Sequence, residues 1–152
     1  MLSYRHNGEK VRFTMFNTTD TTNAKKNLSN VARYFTAHKH DDMEFLFAAQ
    51  YVVEILKNNA EGLTERTFQR CWNNMLEVIH RNIMNRGERM IDSLIQILTA
   101  ENKDRFTPEE IRDIVEHGCY FDTFGIGGTL LGVTAMEMRF WYDRKEVSLK
   151  FA

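Results

Sequence analysis

The stretch that decides the fold is LSYRHNGEKVRF, residues 2–13, in which Asn7-Gly8 separates two segments of alternating polarity. Asn-Gly is the preferred dipeptide of a two-residue type I′ turn, because both central residues of that turn need a positive φ. Alternate side chains of a strand point to the same face. Around this turn, one face is apolar and carries Leu2, Tyr4, Val11 and Phe13. The sequence therefore predicts an N-terminal β-hairpin with one register.

The other face of this predicted hairpin is basic, since it carries Arg5, Lys10 and Arg12. Arg5 lies directly opposite Lys10, and like charges at opposed positions of two strands destabilise the pair. An acidic group from the chain itself or from a partner would relieve this repulsion. A phosphate backbone is one such group.

The last segment, MEMRFWYDRKEVSLKF, residues 136–151, repeats the pattern. Folding it at the charged loop Asp143–Glu146 puts the apolar side chains on one face, with Tyr142 opposite Val147, Phe140 opposite Leu149 and Met138 opposite Phe151. A helix is the alternative, because a helical stripe also fits Leu131, Ala135, Met138 and Trp141. We favour the hairpin because residues 147–151 alternate strictly in polarity.

An isolated hairpin is only marginally stable in water. Both hairpins are therefore expected to pack on helices, either as one antiparallel sheet or as two stacked ribbons. The expected fold class is α+β in a single globular domain of residues 1–152. It has a core of four or five helices, with N-terminal and C-terminal β-hairpins that form a small antiparallel sheet.

Apolar periodicity predicts the helices in the middle of the chain. One is expected from about Ala24 to Lys39. The next, from about Met43 to Lys57, is apolar nearly all round and should be central, with Asp41 or Asp42 as its cap. The sequence Thr107-Pro108-Glu109-Glu110 is a strong helix start, and that helix should end at Gly118.

A single long helix is predicted from Thr64 onward, because apolar residues keep one phase from Phe68 to Leu98. Glycine in a helix interior costs about 1 kcal/mol, so Gly87 needs a reason. We expect Gly87 to allow the close approach of a neighbouring helix. A break at Asn85–Gly87 is the alternative.

Composition indicates a folded chain with no strong overall charge. Hydrophobic residues make up 43 %, charged residues 27 %, and the net charge is −1. This charge argues against whole-molecule attraction to nucleic acid or anionic lipid. The chain has no apolar signal-peptide core and no run of membrane-spanning length, so a cytoplasmic location and no membrane partner are expected. Cys71 and Cys119 are then expected to be reduced, buried thiols, with one long-range disulfide as the alternative.

Two groups of residues have the donor types that metals accept. The first consists of His38, His40, Asp41 and Asp42. Hydrated polar residues between helices are the better explanation, since sequence shows no further ligand. The second is Glu77-x-x-His80, which has the spacing found in di-iron helical bundles. A second copy of that motif is absent, so coincidence is favoured.

Three other features have structural explanations. The glycine-rich segment Phe124–Thr129 has no Lys at the Walker position and no preceding βαβ strand, so a connector is expected, with an apolar docking surface as the functional alternative. Arg81, Arg86 and Arg89 should form a solvated helix face, because acidic residues are interleaved with them. Neither Ser nor Cys occurs in a nucleophile motif, so Cys71 is expected to be a core thiol.

The leading functional hypothesis is a non-enzymatic binding protein that acts through a surface, either by self-assembly or by masking a partner macromolecule. No cofactor is expected. The second hypothesis is a nucleic-acid-binding module, and the third is a metal-dependent enzyme at His38, His40, Asp41 and Asp42. The residues expected to bind nucleic acid or a protein partner are Arg5, Lys10, Arg12, Arg139, Trp141 and Lys150.

Overall fold

The structure is a computed structural model, and it describes residues 41–126 and 135–152 together with Lys26 and Arg33, which are both helical and exposed. The predicted N-terminal hairpin of residues 2–13 lies outside the described residues. So does the rest of the helix predicted from Ala24 to Lys39. These expectations stay predictions.

The described chain is α+β, with helices packed on one side of an antiparallel sheet in the order β1-β2-β3. The helices are α1 (Asp42–Asn58), α2 (Glu65–Arg86), α3 (Ile91–Glu101) and α4 (Pro108–His117). The strands are β1 (Cys119–Ile126), β2 (Ala135–Tyr142) and β3 (Lys145–Lys150). This confirms the fold class, although the sets of helices and hairpins do not match the predicted ones.

Helix α1 is central, as its sequence predicts. Five consecutive residues, Phe45–Ala49, are buried, which requires the helix to be covered on several sides. The predicted cap is also present, because the Asp41 carboxylate accepts a hydrogen bond from the Glu44 N–H at 2.8 Å. Local sequence and packing therefore agree on where α1 begins.

Helix α4 begins and ends as predicted. Thr107 and Glu110 form a reciprocal capping box, with bonds of 3.1 Å and 2.8 Å, and Pro108 occupies the first turn. At the other end, a Cβ on Gly118 would lie 2.3 Å from the Ile114 carbonyl oxygen. Gly118 is therefore required by the close passage of the chain from α4 into β1.

The prediction of one long helix through Gly87 is wrong. Helix α2 ends at Arg86, a 3₁₀ turn covers Gly87–Met90, and α3 starts at Ile91. Gly87 has φ 54° and ψ −135°, a backbone conformation that is strongly unfavourable for residues other than glycine. A Cβ at Gly87 would meet no atom within 4 Å, so close helix approach is not the reason for glycine. The apolar phase continues only because α2 and α3 bury residues in the same core.

The C-terminal hairpin is confirmed, and the helical alternative is wrong for residues 135–142. Its register differs from the predicted one, because the loop is the two-residue turn Asp143-Arg144 with φ of 51° and 62°. Positive φ at both positions fits a type I′ turn, whose twist matches that of the strands. The pairs are Tyr142 with Lys145, Phe140 with Val147 and Met138 with Leu149. This shift of two residues leaves every side chain on its predicted face, since strands have a period of two.

Strand β1 is absent from the sequence-based prediction, which made Phe124–Thr129 a connector. Phe124–Ile126 belongs to β1, and residues 127–134 lie outside the described ranges. A β-bulge between Tyr120 and Asp122 interrupts the polarity alternation that would have revealed the strand. At Gly125 the expectation of close packing holds, because a Cβ there would lie 2.3 Å from the Trp72 ring.

One face of the sheet packs against the helices, and its centre is buried. Its side chains that are at most 1 % exposed include Met136, Met138, Phe140, Leu149 and Phe151. The expectation of two buried thiols is wrong for Cys119, which is exposed, while Cys71 is half-buried, and both are free. No helix within the described ranges has the length and apolar character needed to cross a bilayer.

Replacing Gly87 by Ala should lower the free energy of unfolding by about 1–3 kcal/mol, because alanine is strained at a positive φ of this kind. Urea unfolding measures this change. Asn85→Ala, an exposed substitution at the end of α2, is the matched control and should be nearly neutral. Equal stability of both variants would contradict the break at Gly87.

Candidate functional site

The sheet has an outer face, opposite to the one that the helices cover. The outer face is formed by the side chains that alternate with the buried ones along the three strands. They are Cys119, Phe121, Asp122, Phe124, Glu137, Arg139, Trp141, Glu146, Ser148 and Lys150. No helix within the described part of the chain covers them.

The outer face exposes two large apolar side chains. Trp141 is 54 % exposed and Phe121 is 40 % exposed. The bulge in β1 explains why Phe121 is exposed. Tyr120 and Thr123 both face the helices, so the two residues between them, Phe121 and Asp122, lie on the outer side. Trp141 is exposed because it alternates with the fully buried Phe140.

Arg139 is held at the centre of the outer face. Its guanidinium carbon lies 3.9 Å from the centroid of the Phe124 ring, a cation–π geometry. It also pairs with Asp122 at 3.8 Å and with Glu146 at 3.6 Å. These distances are too long for hydrogen bonds, so both pairs are electrostatic contacts only. Arg139 therefore already has an aromatic ring and two carboxylates around it.

The outer face carries both signs of charge. Its acidic residues are Asp122, Glu137 and Glu146, and its basic residues are Arg139 and Lys150. Of the six residues predicted to bind a partner, Arg139, Trp141 and Lys150 lie on this face. Arg5, Lys10 and Arg12 lie outside the described residues. Within the described part, the surface is mixed in charge, and the sequence missed this because Asp122 belongs to the unpredicted strand β1.

The metal candidates have other roles where they are described. Asp41 caps α1, and Asp42 pairs with Arg86 at 2.7 Å and with Arg89 at 3.0 Å. His38 and His40 lie outside the described residues. Among those that are described, no three His, Cys, Asp or Glu side chains are grouped to hold a metal ion. The metal site stays a prediction.

The ion-pair cluster around Asp42 corrects one expectation. Arg86 is not part of a solvated face, since its side chain is only 15 % exposed and stacks on the Phe45 ring at 4.7 Å. Burial alone would raise the pKa of Asp42, but hydrogen bonds from Arg86 and Arg89 outweigh it and hold the pKa below its ordinary value. The cluster joins the start of α1 to the region where α2 ends.

Glu77 and His80 do not converge, as expected for a coincidental motif. Glu77 pairs with Arg81 at 2.7 Å on the surface, whereas His80 Nδ1 lies 2.7 Å from the Tyr120 hydroxyl. That hydroxyl also bonds Thr123, and burial raises the pKa of Tyr120. This polar network ties α2 to β1.

A second polar chain, which sequence reasoning missed, ties the hairpin to α4. The Tyr142 hydroxyl donates to Asp113, and His117 Nδ1 lies 2.8 Å from the other Asp113 oxygen. The hydrogen bond from Tyr142, followed by that from His117, lowers the pKa of Asp113. Only Asp113 and His117, four residues apart on a helix, had a local signal in the sequence.

No family model matches this chain, and neither the curated proteins nor the solved structures contain a significant match. Function therefore has to follow from the exposed residues themselves. Among the described residues, the outer face is where exposed aromatic side chains and a centrally held arginine occur together.

Asp42→Asn should lower stability at pH 7 by about 1 kcal/mol, because the charge-assisted bonds to Arg86 and Arg89 are lost. Because the folded-state pKa of Asp42 is lowered, the wild-type advantage is present above the unfolded pKa of about 3.9 and disappears as the pH falls through the folded value. Urea unfolding across this pH range measures the difference.

The surface substitution Asp104→Asn serves as the control and should change stability at pH 7 by less than about 0.5 kcal/mol. If Asp42→Asn is as stable as wild type at pH 7, the ion-pair cluster contributes nothing to the fold.

Proposed function

We propose that this protein is a non-enzymatic binding protein and that the outer face of its sheet is its interaction surface. One observation carries the proposal: Trp141 and Phe121 are exposed on one side of a sheet whose other side holds the buried core residues Met136, Met138 and Phe140. Aromatic and arginine side chains supply most of the binding energy at protein interfaces. The outer face combines both types around Arg139 and Phe124.

A protein partner fits this surface better than a nucleic acid does. Three carboxylates lie on the outer face and would repel phosphates. Arg139 is already paired with Asp122 and Glu146, so it is not a free phosphate ligand. The predicted nucleic-acid alternative rests on Arg5, Lys10 and Arg12, which lie outside the described residues, and it stays a prediction.

The size of the surface indicates a transient complex. Strands of eight residues are about 26 Å long, and three strands are about 14 Å wide, which gives a footprint of roughly 400 Å². Stable complexes bury about 800 Å² on each partner. The outer face alone therefore supports weak binding, and a tight complex would need further residues.

A second copy of the chain is one partner that satisfies the charges. In a two-fold arrangement, the same patch meets itself, so acidic residues of one copy can meet basic residues of the other. The whole-chain net charge of −1 gives little repulsion between copies. Self-assembly and the masking of another protein are thus two uses of the same surface, and the cytoplasmic location expected from the sequence stays a prediction.

Trp141→Thr should abolish binding through this face while changing stability by less than about 1 kcal/mol, because the side chain is exposed and threonine suits a strand. Light scattering over a range of concentrations measures self-association, and a pull-down with the wild-type protein and each variant as purified bait measures capture of other proteins. Met84→Gln is the matched control, because Met84 is 53 % exposed and lies on α2, outside the sheet.

The proposal predicts that an oligomer or a captured protein survives in Met84→Gln and is lost in Trp141→Thr. Equal association of both variants would contradict it. A strict monomer that captures nothing would contradict it as well.

A further inference from the structure

Within the described part of the chain, strand β3 is an edge of the sheet, and described side chains cover only part of that edge. The Asn102 side chain bonds both the N–H and the carbonyl of Lys150, at 2.9 Å and 3.0 Å. Arg105 donates to the carbonyl of Ser148 at 3.1 Å. These hydrogen bonds satisfy backbone groups in the C-terminal half of the edge, which would otherwise be available to pair with a strand of another chain.

Among the described residues, none bonds the outward backbone groups in the N-terminal half of the same edge. Residues whose backbone groups point away from β2 alternate along the strand. Because Ser148 and Lys150 point outward, Glu146 does so too. The N–H and carbonyl of Glu146 and the N–H of Ser148 therefore face outward with no partner among the residues that the structure describes.

This half of the edge forms one side of a groove of about 670 Å³, which the start of α4 closes on the other side. The apolar lining consists of Phe106, Ile114 and Val147, beside Tyr142. The wall formed by α4 is acidic and presents Glu109, Glu110 and Asp113. The groove thus offers strand-pairing groups, an apolar floor and carboxylates along one line.

We propose that this groove binds a short extended peptide of a partner protein, with alternating basic and apolar side chains, which pairs as an added strand with Glu146 and Ser148. Main-chain hydrogen bonds supply affinity in such complexes, and alternate side chains supply specificity. Alternate side chains of a strand point to opposite faces of the sheet, so the apolar side chains of the peptide lie over the floor on the helix side. Its basic side chains lie on the other side, beside Glu146, and the carboxylates on α4 attract the peptide through its overall charge.

The charge balance of the lining selects a basic peptide over an acidic one. Four carboxylates line the groove against only two cations, Arg105 and Lys145. Arg105 is already occupied, since it donates to Ser148 and lies 5.2 Å from the Phe106 ring centroid. Asp113 and Glu110 also have partners, since Asp113 bonds Tyr142 and Glu110 accepts from the Thr107 N–H, but a carboxylate has further acceptor sites for a basic side chain.

The groove shares Glu146 and Ser148 with the outer face, but strand pairing in the groove uses the outward backbone groups of these two residues. Trp141 and Phe121 do not line it. Trp141→Thr should therefore leave peptide binding in the groove intact.

The test measures fluorescence anisotropy of a labelled hexapeptide, Lys-Val-Lys-Val-Lys-Val, with the full chain, and the peptide Glu-Val-Glu-Val-Glu-Val is the charge control. Ser148→Pro removes the outward N–H without touching the bonds to β2, and proline is tolerated at such edge positions. Affinity should fall about tenfold or more, a loss of about 1.4 kcal/mol. Ser148→Ala keeps the N–H and should bind as wild type does.

A second pair of variants tests the charge. Glu109→Lys on the groove wall should weaken binding several-fold, whereas Glu116→Lys, on the same helix but outside the groove, should not. Added salt should weaken binding as well.

Three results would overturn the proposal. They are failure of the wild-type chain to bind the Lys-Val peptide, equal binding of both peptides, and equal affinities of Ser148→Pro and Ser148→Ala. Binding only after Arg5, Lys10 and Arg12 are replaced by serine would show that the chain's own first residues occupy the groove, which contradicts a separate partner.

Discussion

The one-sided burial of strand β2 is the constraint on which the rest of the structure depends. Met136, Met138 and Phe140 are at most 1 % exposed, and they lie under the helices. A strand has a period of two, so their burial forces Glu137, Arg139 and Trp141 to the opposite side. The exposure of the outer face is thus a consequence of core packing. Because a slip of one residue would bury these polar groups, the register of the hairpin is fixed by the same burial.

Sequence reasoning predicted the elements whose signals are local. Thr107, Pro108 and Glu110 are local signals for the start of α4, and Asp41 is the signal for the start of α1. Both helix starts were therefore predicted correctly. The hairpin register was two residues off, because the charged loop Asp143–Glu146 has no glycine to mark the turn. The prediction of a continuous helix through Gly87 was wrong because two helices that pack on the same core keep a common apolar phase across the break between them.

The candidate surface was predicted in part. Alternation alone put Arg139 and Trp141 on one polar face, and the structure agrees. The sequence could not show which distant residues form ion pairs with each charged side chain. Arg139 pairs with Asp122 of β1, a strand whose sequence pattern is interrupted by a bulge. Asp42 pairs with arginines that are 44 and 47 residues away in the sequence. A surface that looked basic along the chain is mixed in charge once the strands are paired.

The most direct measurement of this one-sided sheet uses the two tryptophans, since Trp72 is 2 % exposed and Trp141 is 54 % exposed. Trp72→Phe leaves only Trp141, and Trp141→Phe leaves only Trp72. With an open outer face, acrylamide should quench the fluorescence of Trp141 strongly and that of Trp72 weakly. Quenching of Trp141 as weak as that of Trp72 in the isolated protein would show that the outer face is covered, which contradicts its proposed role as a free interaction surface.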